Sequence, residues 1–279
     1  MIRSDNHVHT SFSSDSDTPM EDMILRAKAL GLSSICFTDH MDYGFPYEKY
    51  QMDFLFSPDG YVTKIKELSA KYTDFPIRMG VELGLKEDIF ELATALTKSY
   101  DFDFVIGSTH LVDNIDPYYE EYWENYGEIN GIHHYYEATY QNIRQGFDFD
   151  VYGHIDYVIR YCPSIKASKA QNNEAFYQQM IQQNKDILDE ILLTLIHLGK
   201  GIEVNTGGLK YGLGQPNPHE AILRRYHELG GEILTIGSDA HETGYLAYEF
   251  EKIPALLQNC GFRYYTEFHK RKPVQITLS

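Results

Sequence analysis

Residues 2–9 read IRSDNHVH, a strand candidate over 2–7 that runs straight into His7-Val8-His9. Side chains alternate along a strand with period two, so both imidazoles point to one side and can grip a single ion. With 12 histidines in 279 positions, composition alone yields roughly half an H-x-H pair by chance, so the pair decides nothing unless other ligands join it. Others do, always at the same kind of place. The strand candidate Ser34–Phe37 ends in Thr38-Asp39-His40, and residues 77–82 end in Gly80-Val81-Glu82. Residues 102–106 lead into Gly107-Ser108-Thr109-His110, and residues 149–152 into Gly153-His154-Ile155-Asp156. Residues 233–236 lead into Gly237-Ser238-Asp239-Ala240-His241. A further candidate over 202–205 makes seven strands.

Between these apolar runs lie longer stretches of helical period, the pattern of repeated β/α units around a parallel sheet. Thr18-Pro19-Met20-Glu21 reads as a capping box before a helix that ends at Gly31. Ser57-Pro58 opens another, and residues 173–198 give the longest, closed by Gly199. The tail, with RYYTEF and PVQITL, reads as extra strands outside the repeat. Seven strands alternating with helices predict a distorted seven-stranded, TIM-like β/α barrel, one domain over residues 1–279. In a closed barrel the carboxyl ends of the strands converge on one face, where barrel enzymes place their catalytic groups. Two segments break the rhythm, an aromatic loop over 46–58 and an acidic, aromatic loop over 113–130, and loops of that length inside a compact domain are commonly functional.

Composition narrows the function classes. Hydrophobic residues are 43% and charged residues 23% of the chain, as in ordinary globular domains. The net charge of -17 repels phosphate backbones, so nucleic acid is not expected as a partner. Cys36, Cys162 and Cys260 are too scattered for a disulfide framework or a zinc ribbon and read as buried thiols in a reducing compartment. No apolar stretch has the length of a signal peptide core or a membrane span, so a cytoplasmic location is expected and a membrane is not. No glycine-rich nucleotide motif follows a strand.

Imidazoles with carboxylates and no thiolates suit zinc, iron or manganese. There are more ligands than one ion can use, and a carboxylate such as Glu82 bridging two ions would place between them a hydroxide whose pKa is lowered toward ~7. The series H-x-H, T-D-H, G-V-E, G-S-x-H, G-H-I-D and S-D-A-H, from His7 to His241, resembles the polymerase-and-histidinol-phosphatase (PHP) superfamily. That resemblance implies a barrel holding two or three divalent ions. His7, His9, Glu82 and Asp239 would hold the first, Glu82, His110 and His154 the second, and Asp15, His40 and His241 the third, with Asp17 as the alternative to Asp15. The opening HVHTSFSSDS, the long segment after His110 and GHIDYVIRY are most similar to the histidinol-phosphate phosphatase branch, which implies L-histidinol phosphate as a small phosphorylated substrate and a place in histidine biosynthesis.

The expected chemistry is in-line attack of metal-activated hydroxide on a phosphomonoester. Beside the bridging Glu82, Asp39 or a protonated histidine such as His241 is the candidate acid for the leaving group. Arg160 is the first candidate for a bidentate phosphate fork and Lys210 the second. Loss of Arg160 is expected to raise KM with metal content little disturbed. Glu120, Glu121 and Glu124, among the tyrosines of residues 118–126, suit a cationic substrate end or are solvated loop charges. A nucleotide phosphodiesterase or exonuclease, a phosphotyrosine phosphatase of the same superfamily, and a metal-binding module without turnover are the alternatives.

Overall fold

A computed structural model describes residues 2–167 and 173–278. The strands are β1 (Ser4–Asp5), β2 (Ser34–Phe37), β3 (His40–Met41), β4 (Ile77–Gly84), β5 (Phe104–Ser108), β6 (Val151–Tyr152), β7 (Gly201–Asn205), β8 (Leu234–Gly237), β9 (Tyr264–His269) and β10 (Lys272–Thr277). Seven of them run parallel in the order β1-β2-β4-β5-β6-β7-β8, with short β3 continuing the β2 side against β4. The seam between β8 and β1 is bridged by backbone bonds: Asn6 N–H donates to Ile236 O (3.2 Å), Asp239 N–H to His7 O (2.8 Å) and His9 N–H to Ala240 O (2.9 Å). The expected distorted seven-stranded barrel is the fold observed, and β3 is an addition to it. Barrel strands β2, β5, β7 and β8 are buried throughout, as parallel strands covered by helices must be, and this explains their largely apolar composition.

The tail forms the expected extra strands as an antiparallel hairpin, β9-β10, and it plugs the amino end of the barrel. Phe268 of β9 packs with Cys36, Phe104, Ile106 and Val151 in the interior, its ring stacked 5.2 Å from that of Phe104. Beside it lies Arg78, 3% exposed, donating to Phe268 O, to Asn6 Oδ1 (2.8 Å) and to Ser4 Oγ. Glu267 Oε2 lies 3.6 Å away.

Helix ends follow the sequence in part. Ser57 caps Pro58–Lys71, its Oγ accepting from Gly60 N–H (3.3 Å). Thr18 does not cap: Pro19 holds that position ahead of Met20–Ala29, and Thr18 Oγ1 donates instead to His241 O (2.9 Å). The expected helix over 173–198 is two, Glu174–Gln183 and Lys185–His197. Asn184 interrupts it, because its side chain donates to Met180 O (2.8 Å) and accepts at Oδ1 from the His133 ring (2.8 Å), competing with the helical ladder. The segment 113–130 is not an open loop. Glu120–Tyr126 is helical, with Glu120 and Glu121 in its positively polarised first turn, and Trp123 is buried with Nε1–H on Pro117 O (2.8 Å).

Arg78→Met is expected to lower the unfolding free energy by about 3 kcal/mol, because it strips a buried polar network of its cation and leaves Glu267 uncompensated. Urea denaturation followed by circular dichroism measures this, and a change within 0.5 kcal/mol, roughly that of a neutral surface substitution, would show that the network does not hold the floor.

Candidate metal centre

The nine residues expected as ligands lie together at the carboxyl ends of the strands. His7 and His9 follow β1, His40 opens β3, Glu82 lies in β4, His110 follows β5, His154 follows β6, and Asp239 and His241 follow β8. Asp15 approaches from the loop after His9, its Oδ2 3.1 Å from His241 Nε2 and 3.8 Å from His40 Nε2. Asp17 is exposed and lies outside the cavity lining.

Glu82 is fully buried at the centre, and its two oxygens face different sets of imidazoles. Oε2 lies 3.1 Å from His7 Nε2, 3.5 Å from His9 Nε2 and 3.1 Å from His40 Nδ1. Oε1 lies 2.9 Å from His154 Nε2 and 3.3 Å from His110 Nε2, and accepts from Ser108 Oγ (2.7 Å). Asp239 Oδ1 closes the first set, 3.3 Å from His9 Nε2 and 3.7 Å from His7 Nε2.

An outer layer fixes which ring nitrogens point inward. His7 Nδ1 lies 2.6 Å from Glu203 Oε1, and His110 Nδ1 lies 2.6 Å from Asp42 Oδ2. Carboxylates accept there, so those nitrogens carry the protons and both Nε2 lone pairs face the cluster. His9 Nδ1 lies 3.1 Å from Ser13 Oγ, and that hydroxyl donates to Asp39 Oδ1 (2.9 Å) and therefore accepts from the ring. His7 Nε2 and His9 Nε2 consequently sit 3.0 Å apart, lone pair toward lone pair. Among the described residues, buried His40 Nδ1, His154 Nδ1 and His241 Nε2 have no hydrogen bond of acceptable geometry. Such a set is repulsive unless cations or protons fill it. Groups of donor atoms close enough to share an ion are His7/His9/Glu82, Glu82/His110/His154, His9/His40/His241 and His40/Asp42/His110. Imidazole and carboxylate donors suit zinc, iron or manganese.

The titration shifts tell the same story. Burial pulls His7 and His110 down, but the carboxylates of Glu203, Glu82 and Asp239 around His7, and of Asp42 and Glu82 around His110, outweigh it and push both well up. Burial lowers His9, and its neighbours His241 and His40 lower it further. Glu82 is held well down despite burial, because His7, His110 and His40 surround it. The cluster therefore keeps its carboxylates ionised and draws positive charge inward.

Close backbone approach makes this crowding possible. A Cβ on Gly237 would lie 2.3 Å from His7 Cβ and 2.7 Å from Glu203 Oε1, and one on Gly84 would lie 2.4 Å from Asp42 Cγ. Asp239 (φ 57°) and His154 (φ 21°) occupy the positive-φ region, a cost of about 1–3 kcal/mol each. Asp239 N–H on His7 O and His154 N–H on Glu203 Oε2 (3.1 Å) hold them there.

Above the cluster opens a cavity of about 260 Å³, lined at its base by Asp15, His40, Asp42, His110, His154, Arg160, Asp239 and His241 and at its walls by Phe45, Met52, Phe54, Asp116 and five tyrosines. Three expectations change here. Asp39 is fully buried behind the site and accepts from Thr10 N–H (2.6 Å), Thr10 Oγ1 and Ser13 Oγ, so it orients Ser13 and His9 and does not reach a leaving group. Lys210 faces the Tyr245 ring at 4.2 Å and is not part of the lining. Glu120 and Glu124 are exposed, Glu121 pairs with Lys49 (2.6 Å), and none lines the cavity.

Arg160 does line it, 4% exposed. Its Nε donates to Asn217 (2.6 Å), one terminal nitrogen to Asn205 (2.7 Å) and the other to Asp239 Oδ2 (2.9 Å), so it also holds Asp239 in place. Residues missed by sequence reasoning are the carboxylates Asp42, Glu203 and Asp116. Two had readable signals: Asp42 shares the face of His40 by period two, and Glu203 is a carboxylate inside the apolar strand GIEVN.

Residues 5–207 match the family model described as PHP domain. The chain belongs to the PHP family. It is 30% identical over 275 residues to the histidinol-phosphatase of Lactococcus lactis, covering 98% of this chain and 96% of that one. It is 30% identical over 259 residues to a Clostridium acetobutylicum protein named "probable histidinol-phosphatase", covering 93% and 94%. The crystal structure of the Lactococcus lactis histidinol phosphate phosphatase, complexed with zinc, L-histidinol and phosphate, superposes with a TM-score of 0.85 at 28% identity over 98% of both chains.

Glu203→Gln in this PHP chain is expected to weaken divalent metal binding about 10- to 100-fold with the fold intact, because a neutral carboxamide replaces the charged acceptor behind His7 and lowers the basicity of its inward nitrogen. Competition with a chelator reads this, and unchanged retention would remove Glu203 from the site. A proton held high on His7 and His110 must leave before an ion binds, so occupancy should fall as pH drops from 8 toward about 5. Occupancy that stays level in elemental analysis across that range would contradict the lone-pair assignment.

Proposed function

We propose that this chain is a metal-dependent phosphomonoesterase that converts L-histidinol phosphate and water to L-histidinol and phosphate in histidine biosynthesis. The observation that carries the reading is Glu82, whose two oxygens divide between two sets of buried imidazoles beneath a cavity of small-molecule size. The relatives named for this activity, one of them seen with zinc, L-histidinol and phosphate, support it.

His7, His9, Glu82 and Asp239 are assigned to one ion, Glu82, His110 and His154 to a second, and Asp15, His40 and His241 to a third, each zinc, iron or manganese. Bound divalent cations supply Lewis acidity, which neutralises phosphoryl charge and acidifies the attacking water. The protein's part is to place the phosphoryl group over the base of the cavity, with the two Arg160 N–H groups not used by Asn217, Asn205 and Asp239 directed at its oxygens. As the bond to phosphorus from water forms and the ester bond breaks, the leaving alkoxide takes a proton. With its Nδ1 on Asp239 O (3.0 Å) and its Nε2 assigned to the third ion, His241 has no proton to give, so water in the open cavity is assigned as the donor in place of Asp39 and His241.

Residues 1–279 are read as one domain, supported by Phe268 packing inside the barrel. Among the described residues no helix is long and apolar enough to cross a membrane, and a cytoplasmic enzyme without a nucleic-acid partner is the location that the biosynthetic role and the charge of -17 support.

Steady-state kinetics with L-histidinol phosphate, 4-nitrophenyl phosphate, phosphotyrosine and a dinucleotide test the proposal. A kcat/KM for L-histidinol phosphate about 100-fold above the others is expected, and a preference for the dinucleotide or phosphotyrosine would overturn it. Arg160→Ala should raise KM and, because Asp239 is released, also lower metal content. Unchanged kinetics would remove Arg160 from phosphate binding.

A further inference from the structure

Asp156 closes the stretch Gly153-His154-Ile155-Asp156, directly ahead of the short helical turn Tyr157–Tyr161 that carries Arg160. It is 1% exposed. Among the described residues it lines neither the cavity nor any group of donor atoms close enough to share an ion. Its Oδ1 accepts from Asn217 Nδ2–H (2.6 Å) and its Oδ2 from His219 N–H (2.9 Å). Both donors are neutral, and burying a carboxylate without a cation in contact is costly. The cation stands one side chain further on.

Asn217 connects the two. A guanidinium nitrogen can only donate, so the amide atom 2.6 Å from Arg160 Nε is Oδ1, and Nδ2 is left to face Asp156. The carboxylate fixes the amide, and the amide fixes the guanidinium. Hydrogen bonds in such a buried series polarise one another. Asn217 is itself immobilised, fully buried with its N–H on Asn205 O (2.8 Å) and its carbonyl accepting from Asn205 N–H (2.7 Å). The backbone is built closely round these amides: a Cβ on Gly208 would lie 2.9 Å from Asn217 Oδ1, and one on Gly207 would lie 2.7 Å from Asn205 Oδ1 and 3.1 Å from Arg160 Nη2. Asn205 and Asp239 hold the terminal nitrogens of Arg160, and the Nε side of the planar fork is held by Asn217.

Resting on the phosphomonoesterase reading above, we infer that Asp156 is a positioning residue for phosphate capture: through the Asn217 amide it locks the plane of the Arg160 guanidinium, so that the two free N–H groups meet the phosphoryl oxygens. Asp156 touches neither substrate nor metal. A carboxamide in its place accepts on one side only and turns its own NH2 group against either Asn217 Nδ2 or His219 N–H. The Asn217 amide is then free to turn, and the fork loses its aim while Asn205 and Asp239 keep their hold on its terminal nitrogens.

The test measures binding of inorganic phosphate by isothermal titration calorimetry on the zinc-loaded wild type, Asp156→Asn, Arg160→Lys and the double variant, with zinc content by elemental analysis and steady-state kinetics on L-histidinol phosphate alongside. Asp156→Asn should bind phosphate about 10-fold more weakly, the lower end of what a charge-assisted hydrogen bond contributes, with KM raised more than kcat is lowered and zinc content unchanged. Arg160→Lys keeps a cation for Asp239 but has no Nε–H for Asn217, so adding Asp156→Asn to it should change phosphate affinity by less than about 2-fold, a non-additivity that a merely structural role would not produce. Asn217→Ala breaks the same route and should reproduce the loss if Asp156→Asn does not fold. Phosphate affinity that either folded variant retains, an equal loss in both backgrounds, or zinc lost in step with phosphate would overturn the assignment. A wild type that shows the coupling but does not hydrolyse the ester would support the assignment and overturn the phosphomonoesterase reading instead.

Discussion

The structure depends on one crowded carboxylate. Glu82 is wholly inside the protein, and each of its oxygens meets imidazole nitrogens whose lone pairs are turned inward by acceptors behind them. Two lone pairs at 3.0 Å, as between His7 and His9, repel, and buried ionised carboxylates uncompensated by charge cost several kcal/mol each. A fold that assembles such a set at this expense does so for cations: among the described residues Arg160 is the permanent cation paired with Asp239, and Glu82 faces imidazoles and the Ser108 hydroxyl.

The barrel supplies what the centre needs. Strand ends are rigid and converge, and the seam between β8 and β1 passes directly through the ligands, with Asp239 N–H on His7 O and His9 N–H on Ala240 O. Closing the sheet and assembling the site are therefore one event. Glycines at 237 and 84 let β8 and β4 approach side chains that any Cβ would displace. The hairpin at the opposite end, with Phe268 and Arg78, fills the floor and leaves the mouth free for chemistry. Bound cations would also reverse the local field, so an acidic chain can hold a phosphate ester at this one place.

How much of this was legible follows from the range of each interaction. The seven strands and the histidines at their ends are local patterns, apolar runs followed by ligand-bearing motifs, and they read correctly from the chain. Thr18 failed as a cap because its partner is His241 O, 223 residues away. The helix over 173–198 was broken by Asn184, whose side chain answers to His133 as well as to Met180. Asp39 carried a motif position but is turned to Thr10 and Ser13, while the acidic residues of 120–124 are satisfied by solvent and Lys49. Asp42, Glu203 and Asp116 take their meaning from partners on other strands and loops, which no window of sequence contains.

Anomalous diffraction from crystals grown with zinc addresses the central feature most directly. Separate peaks on the two sides of the Glu82 carboxylate are expected, one among His7, His9 and Asp239 and one between His110 and His154, with those imidazoles no longer bonded directly to Glu82. A map without peaks, or with a single peak away from Glu82 and the imidazole-carboxylate contacts intact, would contradict it.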